Sequence, residues 1–178
     1  MEQGKLVDLF ILGLLSRHGP QHGYRLRQLI AVQAADFSSI KLPTVYYHLR
    51  RLAEKRLLRT KSEAAGRRPE RTVYLLSQRG KKVLAELTKA ALHAEYHPSF
   101  AIDAALFLSE PENVGEILHA LEQRDRAMCE KIDYLDRHRE EVLPHLPPAR
   151  RLFASLIFEH HALHFKAERE WVLRCIEQ

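Results

Sequence analysis

The segment TVYYHLRRLAE, residues 44–54, carries hydroxyl and guanidinium groups on one side of a predicted helix. At 100° per residue its valine and leucine side chains share one face. The opposite face carries Thr44, Tyr47, Arg50, Arg51 and Glu54, with Tyr46 and His48 at its flanks. Guanidinium groups pair with guanine edges or phosphates, and hydroxyl groups donate hydrogen bonds to phosphates or bases. The helix is therefore predicted to pack by its apolar face and to present the other face to a major groove of DNA.

The distribution of charge along the chain also favours a polyanionic partner. Residues 1–97 hold 18 Lys and Arg against 8 Asp and Glu, a net charge of +10, whereas residues 98–178 hold 10 against 15, a net charge of −5. Residues 41–82 alone contain 13 basic and 3 acidic side chains. Because the surplus is confined to one stretch, that stretch is predicted to face the polyanion, and the second half of the chain to do a different job.

Three helices and a hairpin are predicted to position the polar helix face. The first helix is indicated over residues 5–17 and is broken by Gly19 and Pro20. A second helix begins in QHGYRLRQLI, and a third is indicated over residues 43–55. The period then changes, and LLRTKSE and RTVYLLS are typical of two strands joined by the turn AAGRRPE. Three helices followed by a hairpin form a winged helix, which is predicted for residues 1–82.

The predicted wing adds cations to the candidate DNA contacts. Arg67, Arg68 and Arg71 lie in or beside its turn, within reach of the DNA backbone or of a minor groove. The full set of predicted DNA-binding residues is Lys41, Thr44, Tyr47, His48, Arg50, Arg51, Lys61, Arg67, Arg68 and Arg71. Each feature alone is equally typical of a solvated surface. Their combination with the local charge surplus makes double-stranded DNA the predicted partner.

Residues 83–178 are predicted to be helical. The helix that begins in SQRGKKVLAEL extends to about Glu95, and Ser109 with Glu112 has the spacing of a capping box. Apolar residues then recur in alternating steps of four and three, which is typical of packing against a partner helix, and a last helix covers residues 149–176. This part is predicted to form a homodimer through Leu118, Leu121, Met128, Ile132, Leu135 and Leu156. The predicted fold class is mostly α, an N-terminal winged helix with a C-terminal helical dimerisation domain.

The N-terminal motifs resemble those of the PadR-type transcriptional regulators. ILGLLSRHGPQHGYRL is similar to the family's LxLLxxxxxHGYxL stretch, TVYYHLRRL to its recognition-helix pattern TLYxxLxRL, and YLLSQRG to its YxLTxxG ending of the wing. The match covers residues 6–82 in order and at the right spacing. The resemblance implies dimerisation through the helical second part and release from DNA by a small aromatic or drug-like effector. A homodimeric repressor is expected, and its two-fold symmetry predicts an inverted-repeat operator. The resemblance also implies that Tyr46 is partly structural. Tyr24 either supports the domain or contacts a phosphate, and support is favoured.

Three positions depart from the pattern of that family. Pro43 stands where the family often has glycine, Tyr47 where it often has proline, and Arg56 where a glycine commonly precedes the wing. The first two lie on the helix predicted to read DNA and bear on operator preference, so the resemblance carries over no operator sequence.

Histidines raise the alternative of a metal-responsive sensor. His160, His161 and His164 crowd the last helix, and His160 and His164 share a face, as histidines four residues apart do; His93 and His97 have the same spacing. A metal site needs a third or fourth ligand, and the sequence supplies none locally, so no metal and no cofactor is predicted. A protein that binds nucleic acid without regard to sequence is a second alternative.

The aromatic residues of the second half admit two interpretations. Phe100, Phe107, Phe153, Phe158, Phe165 and Trp171 either line a cavity for the effector or fill the core of the dimer, and the second role is favoured for any single residue.

Several protein classes are disfavoured. There is no GxSxG motif and no phosphate-binding glycine-rich loop, and with only 7 glycines in the chain no enzyme is predicted. Cys129 and Cys175 are far apart and form no CxxC pair, which fits a reducing compartment. The apolar run from Leu9 to Leu15 is too short to span a bilayer. A cytoplasmic protein without a membrane partner is therefore expected.

Overall fold

Contacts within the chain divide it into two units, Met1–His97 and Pro98–Gln178. The computed structural model describes residues 3–33, 40, 43–63 and 71–178. The division falls later than the predicted boundary after residue 82, because the helix that follows the wing packs Val83, Leu84 and Leu87 on the N-terminal core. That helix is therefore part of the first unit.

The first unit combines helices with a small antiparallel sheet. Its described elements are α1 (Gln3–His18), β1 (Gln21–His22), α2 (Gly23–Gln33), α3 (Thr44–Glu54), β2 (Leu58–Glu63), β3 (Arg71–Leu76) and α4 (Gln78–Leu92). The sheet has the strand order β1–β3–β2, and the register of β2 on β3 runs from Leu58 opposite Leu76 to Glu63 opposite Arg71. Three helices followed by the β2–β3 hairpin confirm the predicted winged helix.

Helix α1 lies at the centre of the core of this unit. The buried residues of the three helices are Val7, Ile11, Leu12, Leu14 and Leu15 of α1, Leu26, Leu29 and Ile30 of α2, and Val45, Leu49 and Leu52 of α3. Apolar residues surround α1 on nearly every side, whereas α3 has one apolar face. Burial of that single face therefore decides which side chains of α3 remain outside.

The two-residue strand β1 is missing from the sequence-based prediction. Gln21 lies opposite Tyr74 and His22 opposite Val73 in its pairing with β3. Two residues are too few to show the alternation of apolar and polar side chains that identifies a strand. The pairing ties the turn after α1, where Gly19 adopts a φ of 72°, to the wing.

A close junction joins the end of α3 to the start of α4. The Ser77 hydroxyl donates to the Arg56 carbonyl and accepts from the Gly80 amide, each at 2.9 Å. The Ser77 amide donates to the Leu57 carbonyl at 3.1 Å. A Cβ atom on Gly80 would lie 2.2 Å from that same carbonyl oxygen. The last glycine of the YLLSQRG motif is thus required by the space beside Leu57.

The departure at Arg56 has a conformational consequence. Arg56 adopts a φ of 58°, in the left-handed region that favours glycine. An L residue with a side chain in this region is disfavoured by about 1 kcal/mol. The hydrogen bond from the Arg56 amide to the Ala53 carbonyl, at 2.8 Å, and the bond from Ser77 hold the turn in place.

Gly80→Ala is expected to destabilise the first unit by about 2 kcal/mol, because the new methyl group forces the α4 backbone away from Leu57. Urea unfolding followed by circular dichroism measures the change. Gly13→Ala in α1 is the matched control, since its Cβ would meet only Leu84 at 3.9 Å. The control is expected to gain about 0.5 kcal/mol, as alanine favours a helix interior. Equal unfolding midpoints for the two variants would contradict the steric argument.

The second unit is helical in all its regular structure. It contains α5 (Ala101–Phe107), α6 (Val114–Val142) and α7 (Pro148–Ile176), with single 3-10 turns at Pro111–Asn113 and Leu143–His145. The capping box before α6 differs from the predicted pair of Ser109 and Glu112. It is formed by Glu110 and Asn113, and the Ser109 hydroxyl donates to the Ala105 carbonyl instead. Nowhere in the described chain is a helix long and apolar enough to cross a membrane.

Helices α6 and α7 form an antiparallel pair. The guanidinium of Arg124 donates to Glu168 at 2.7 Å, and the ring of His138 contacts that of Phe158 at 5.8 Å between centroids. Residue numbers thus rise along α6 while they fall along α7. The short Leu143–His145 turn permits this return.

This pairing buries part of the predicted dimerisation set within one chain. Leu121, Met128 and Leu135 are buried within a single chain, on the helix that packs against α7. Periodicity showed that α6 has an apolar stripe needing a partner helix, but it did not show that the partner is α7 of the same chain. Ile132 is half-buried, whereas Leu118 and Leu156 are exposed.

Candidate nucleic-acid interface

The outer face of α3 presents a tyrosine pair and an arginine to solvent. Tyr47 is 64% exposed, and Tyr46 and Arg50 are exposed as well. Thr44, at the first position of the helix, is half-buried. Two phenol hydroxyls and a guanidinium can donate hydrogen bonds to base edges or phosphates.

A carboxylate of α1 contacts the same helix. Asp8 Oδ1 lies 2.6 Å from His48 Nδ1, and Asp8 Oδ2 lies 2.5 Å from an Nη atom of Arg51. His48, a predicted DNA contact, is only 6% exposed, because its ring faces α1 and contacts Asp8. The sequence analysis missed Asp8, because a single acidic residue in an apolar helix carries no signal of its partners.

Arg51 is less available than its position on the helix wheel predicts. One nitrogen of its guanidinium contacts Asp8, and the group lies over the Tyr47 ring at 5.9 Å. Its Nε atom is buried without a hydrogen-bond partner among the described residues. The side chain as a whole is 30% exposed. Arg51 therefore borders the outer face, whereas Arg50 lies on it.

Two aromatic rings, Tyr46 of the outer face and Tyr74 of β3, lie against the start of α2. A Cβ atom on Gly23 would lie 3.0 Å from the Tyr46 ring and 3.4 Å from the Tyr74 ring, so glycine at the start of α2 leaves room for both. Burial raises the pKa of Tyr74 above its usual value, while the nearby Arg50 guanidinium acts in the opposite direction. The raised pKa favours the protonated form of the Tyr74 hydroxyl, which can donate a hydrogen bond.

The base of the wing carries a second group of polar side chains. Lys61 on β2 and Arg71 on β3 are exposed, as predicted for solvent-facing contacts. The Arg71 guanidinium lies over the ring of Tyr24 at 5.9 Å, and that ring stacks on His22 at 5.8 Å. Tyr24 is half exposed, so it both supports its neighbours and offers its edge to solvent.

Three predicted contacts fall outside the described residues. They are Lys41, Arg67 and Arg68.

Two histidines of α7 lie close together in the described part of the chain. The Nε2 atoms of His160 and His164 lie 3.2 Å apart on α7. No group of three or more potential ligands surrounds them or any other point among the described residues. The pair His93 and His97 loses its helical spacing because α4 ends at Leu92.

Comparison with known proteins finds a family profile that matches most of the first unit. Residues 11–86 match the sequence profile of the family described as the transcriptional regulator PadR-like family. No sequence among the curated proteins matches the chain.

Solved structures show the same fold over nearly the whole length. The chain is similar to Bacillus subtilis PadR in complex with operator DNA, at 20% identity and a TM-score of 0.73, with 97% of each chain covered. It is similar to smu.1604c from Streptococcus mutans UA159, at 20% identity and a TM-score of 0.69, with 96% and 98% covered. It is also similar to the PadR-like regulator BC1756 from Bacillus cereus, at 15% identity and a TM-score of 0.65, with 96% and 93% covered.

Proposed function

We propose that this protein is a PadR-like transcriptional regulator, because residues 11–86 match the profile of that family. In this proposal it is a homodimeric repressor that binds an inverted-repeat operator through α3 and is released by a small-molecule effector. The observation that carries the proposal is the outer face of α3, where Tyr47 and Arg50 are exposed while the apolar face is buried. The presence of operator DNA in the structure of Bacillus subtilis PadR supports it. The cytoplasmic location expected from the sequence belongs to the same proposal.

The exposed side chains of α3 suit direct reading of base edges. Arginine forms bidentate pairs with guanine in the major groove, and tyrosine hydroxyls donate to bases or phosphates. Lys61 and Arg71 on the wing strands are cations for the adjacent phosphates. A repressor needs no contacts beyond those with its operator and its second copy, which is why repression is proposed.

Arg50→Ala is expected to lower affinity for the operator at least about tenfold, because a side-chain-to-base pair contributes about 1–3 kcal/mol of discrimination. Fluorescence anisotropy measures binding to the DNA upstream of the protein's own gene and to a scrambled duplex, over a range of salt. Arg126→Ala, at an exposed position of α6, is the matched control and is expected to bind like the wild type.

The two duplexes separate the proposal from its alternative. A regulator prefers the upstream fragment, and the preference is lost in Arg50→Ala. Equal wild-type affinity for both duplexes, with a steep dependence on salt, would show binding to phosphates alone and would contradict a site-specific regulator.

The second face of α7 supports a homodimer. One apolar face of this helix packs on α6 and includes the buried Phe158 and Val172. Phe153 and Leu163, 65% and 60% exposed, lie with Leu156 on a different face. Their spacings of three and seven residues are those of a helix–helix seam. We propose that this face packs against its own copy, which replaces Leu121, Met128 and Leu135 in the predicted dimer contact.

Two-fold symmetry fits the proposed operator. A dimer places its two copies of α3 in successive major grooves, roughly 34 Å apart, so the two half-sites are inverted repeats.

Leu156→Glu with Leu163→Glu is expected to convert the dimer to monomers, because the two carboxylates would be desolvated in the seam. Sedimentation equilibrium measures the mass, and circular dichroism checks that the helices remain. Leu173→Glu is the control, since Leu173 is an exposed leucine of the same helix outside the seam. A double variant that sediments as the wild type does would place the dimer contact elsewhere.

An apolar groove in the first unit supports the proposed effector. It has a volume of about 290 Å³ between α1, α2 and α4, and its lining includes Phe10, Leu29, Leu84 and, as a cation, Arg17. This is close to the lower end of small-molecule sites, about 300 Å³, so it suits a compound of one or two rings. Such a compound releases DNA only if it binds the DNA-free form more tightly than the DNA-bound form.

Gly13→Leu is expected to weaken effector binding at least about tenfold, because Gly13 lines the groove and the leucine side chain would fill part of it. A Cβ atom at this position would meet only Leu84, at 3.9 Å. A thermal-shift screen of one- and two-ring aromatic compounds, with and without a carboxylate, identifies ligands that also release the operator. Gly13→Ala, which leaves most of the groove open, serves as the control. A ligand that binds Gly13→Leu as tightly as the wild type would show that the effector site lies elsewhere.

A further inference from the structure

We infer that Asp8 is a positioning residue that withholds Arg51 from DNA and thereby sets how strongly the protein prefers its operator over other DNA. The inference rests on the proposed function, because it concerns the helix proposed to read the operator. It assigns to an acidic residue of α1 an effect on binding selectivity.

The geometry makes Asp8 a bridge between two positions one turn apart on α3. Its two carboxylate oxygens contact His48 and Arg51 separately, at 2.6 Å and 2.5 Å. The Asp8 side chain is 13% exposed, so these contacts are partly shielded from water. Contacts at two positions three residues apart fix the rotation of α3 about its own axis. The outer face with Tyr47 and Arg50 is thereby kept outward.

The same contact removes a free cation from the outer face. A guanidinium bound to a partly buried carboxylate has its charge balanced by a charge-assisted hydrogen bond. To reach a phosphate, Arg51 would have to leave Asp8 and its position over the Tyr47 ring. Sequence-independent affinity for DNA grows with the number of phosphates that cations neutralise. Asp8 therefore lowers the sequence-independent part of DNA affinity, while it preserves the orientation of α3 that base reading at the operator needs.

Asp8→Asn is the first test, since it keeps the size and an acceptor for His48 but removes the charge. Affinity for a scrambled duplex is expected to rise about threefold, and the slope of log affinity against log salt to steepen by about 0.9, the effect of one additional phosphate contact. The ratio of operator affinity to scrambled-duplex affinity is expected to fall about tenfold. Asp8→Glu, which keeps the charge, is expected to retain the wild-type slope.

A second variant separates positioning from general stability. Asp8→Asn with Arg51→Gln removes both charges and is expected to show the wild-type slope on the scrambled duplex. If Arg51 contacted a phosphate in the wild type, this variant would lose about 0.9 from the slope, and the inference would be overturned. This readout remains available if Asp8→Asn alone fails to fold because the Arg51 charge has lost its carboxylate partner, since the double variant removes that charge as well.

Glu86→Gln is the control for net charge. Glu86 is exposed on α4, and its replacement changes the charge of the first unit by the same amount. Its slope is expected to equal that of the wild type. An Asp8→Asn slope equal to that of Glu86→Gln would overturn the inference. Failure of the proposed function is distinct, because it would appear in the wild type as equal affinity for operator and scrambled duplex.

Discussion

The packing of α3 on α1 is the contact on which the candidate site depends. Val45, Leu49 and Leu52 are buried in the shared core, and Asp8 adds two polar contacts at the edge of that packing. Hydrophobic burial is not directional, so by itself it would tolerate a range of rotations of α3. The hydrogen bonds of one carboxylate to two positions on the helix select among them, because hydrogen bonds are directional.

This contact changes the chemistry of the surface that meets DNA. A helix wheel counts Arg50 and Arg51 as equal cations, whereas the fold leaves the first on the outer face and engages the second. The outer face then consists of Tyr46, Tyr47 and Arg50, and the Tyr74 ring lies with that of Tyr46 against the start of α2. Burial raises the pKa of the Tyr74 phenol, so a neutral donor lies beside the Arg50 charge. Such a surface relies more on hydrogen bonding and less on net charge than the sequence indicates.

The second unit shows how one helix serves two partners. The apolar residues of α7 lie on two faces, one against α6 and one exposed, so no single stripe stands out along its sequence. Helix α6 has a clearer stripe, and the antiparallel return through Leu143–His145 covers it within the chain. The sequence analysis placed most of the predicted dimer contact on α6 because its apolar stripe is the clearer one. The apolar stripe that stays exposed in the folded chain belongs to α7.

The sequence by itself determined the winged helix, the resemblance of its N-terminal motifs to a known family and the polar face of α3. These follow from local periods, turn residues and motif spacing, which the chain carries within a few residues of each position. Only the tertiary structure decided that His48 is buried, that Asp8 engages Arg51, that β1 pairs with β3 and that Leu121 packs inside the chain. Each of these depends on which distant segments meet, since Asp8 and Arg51 are separated along the chain by all of α2. A local pattern shows that an apolar helix face must be buried, whereas the contacts of the folded chain determine which segment buries it.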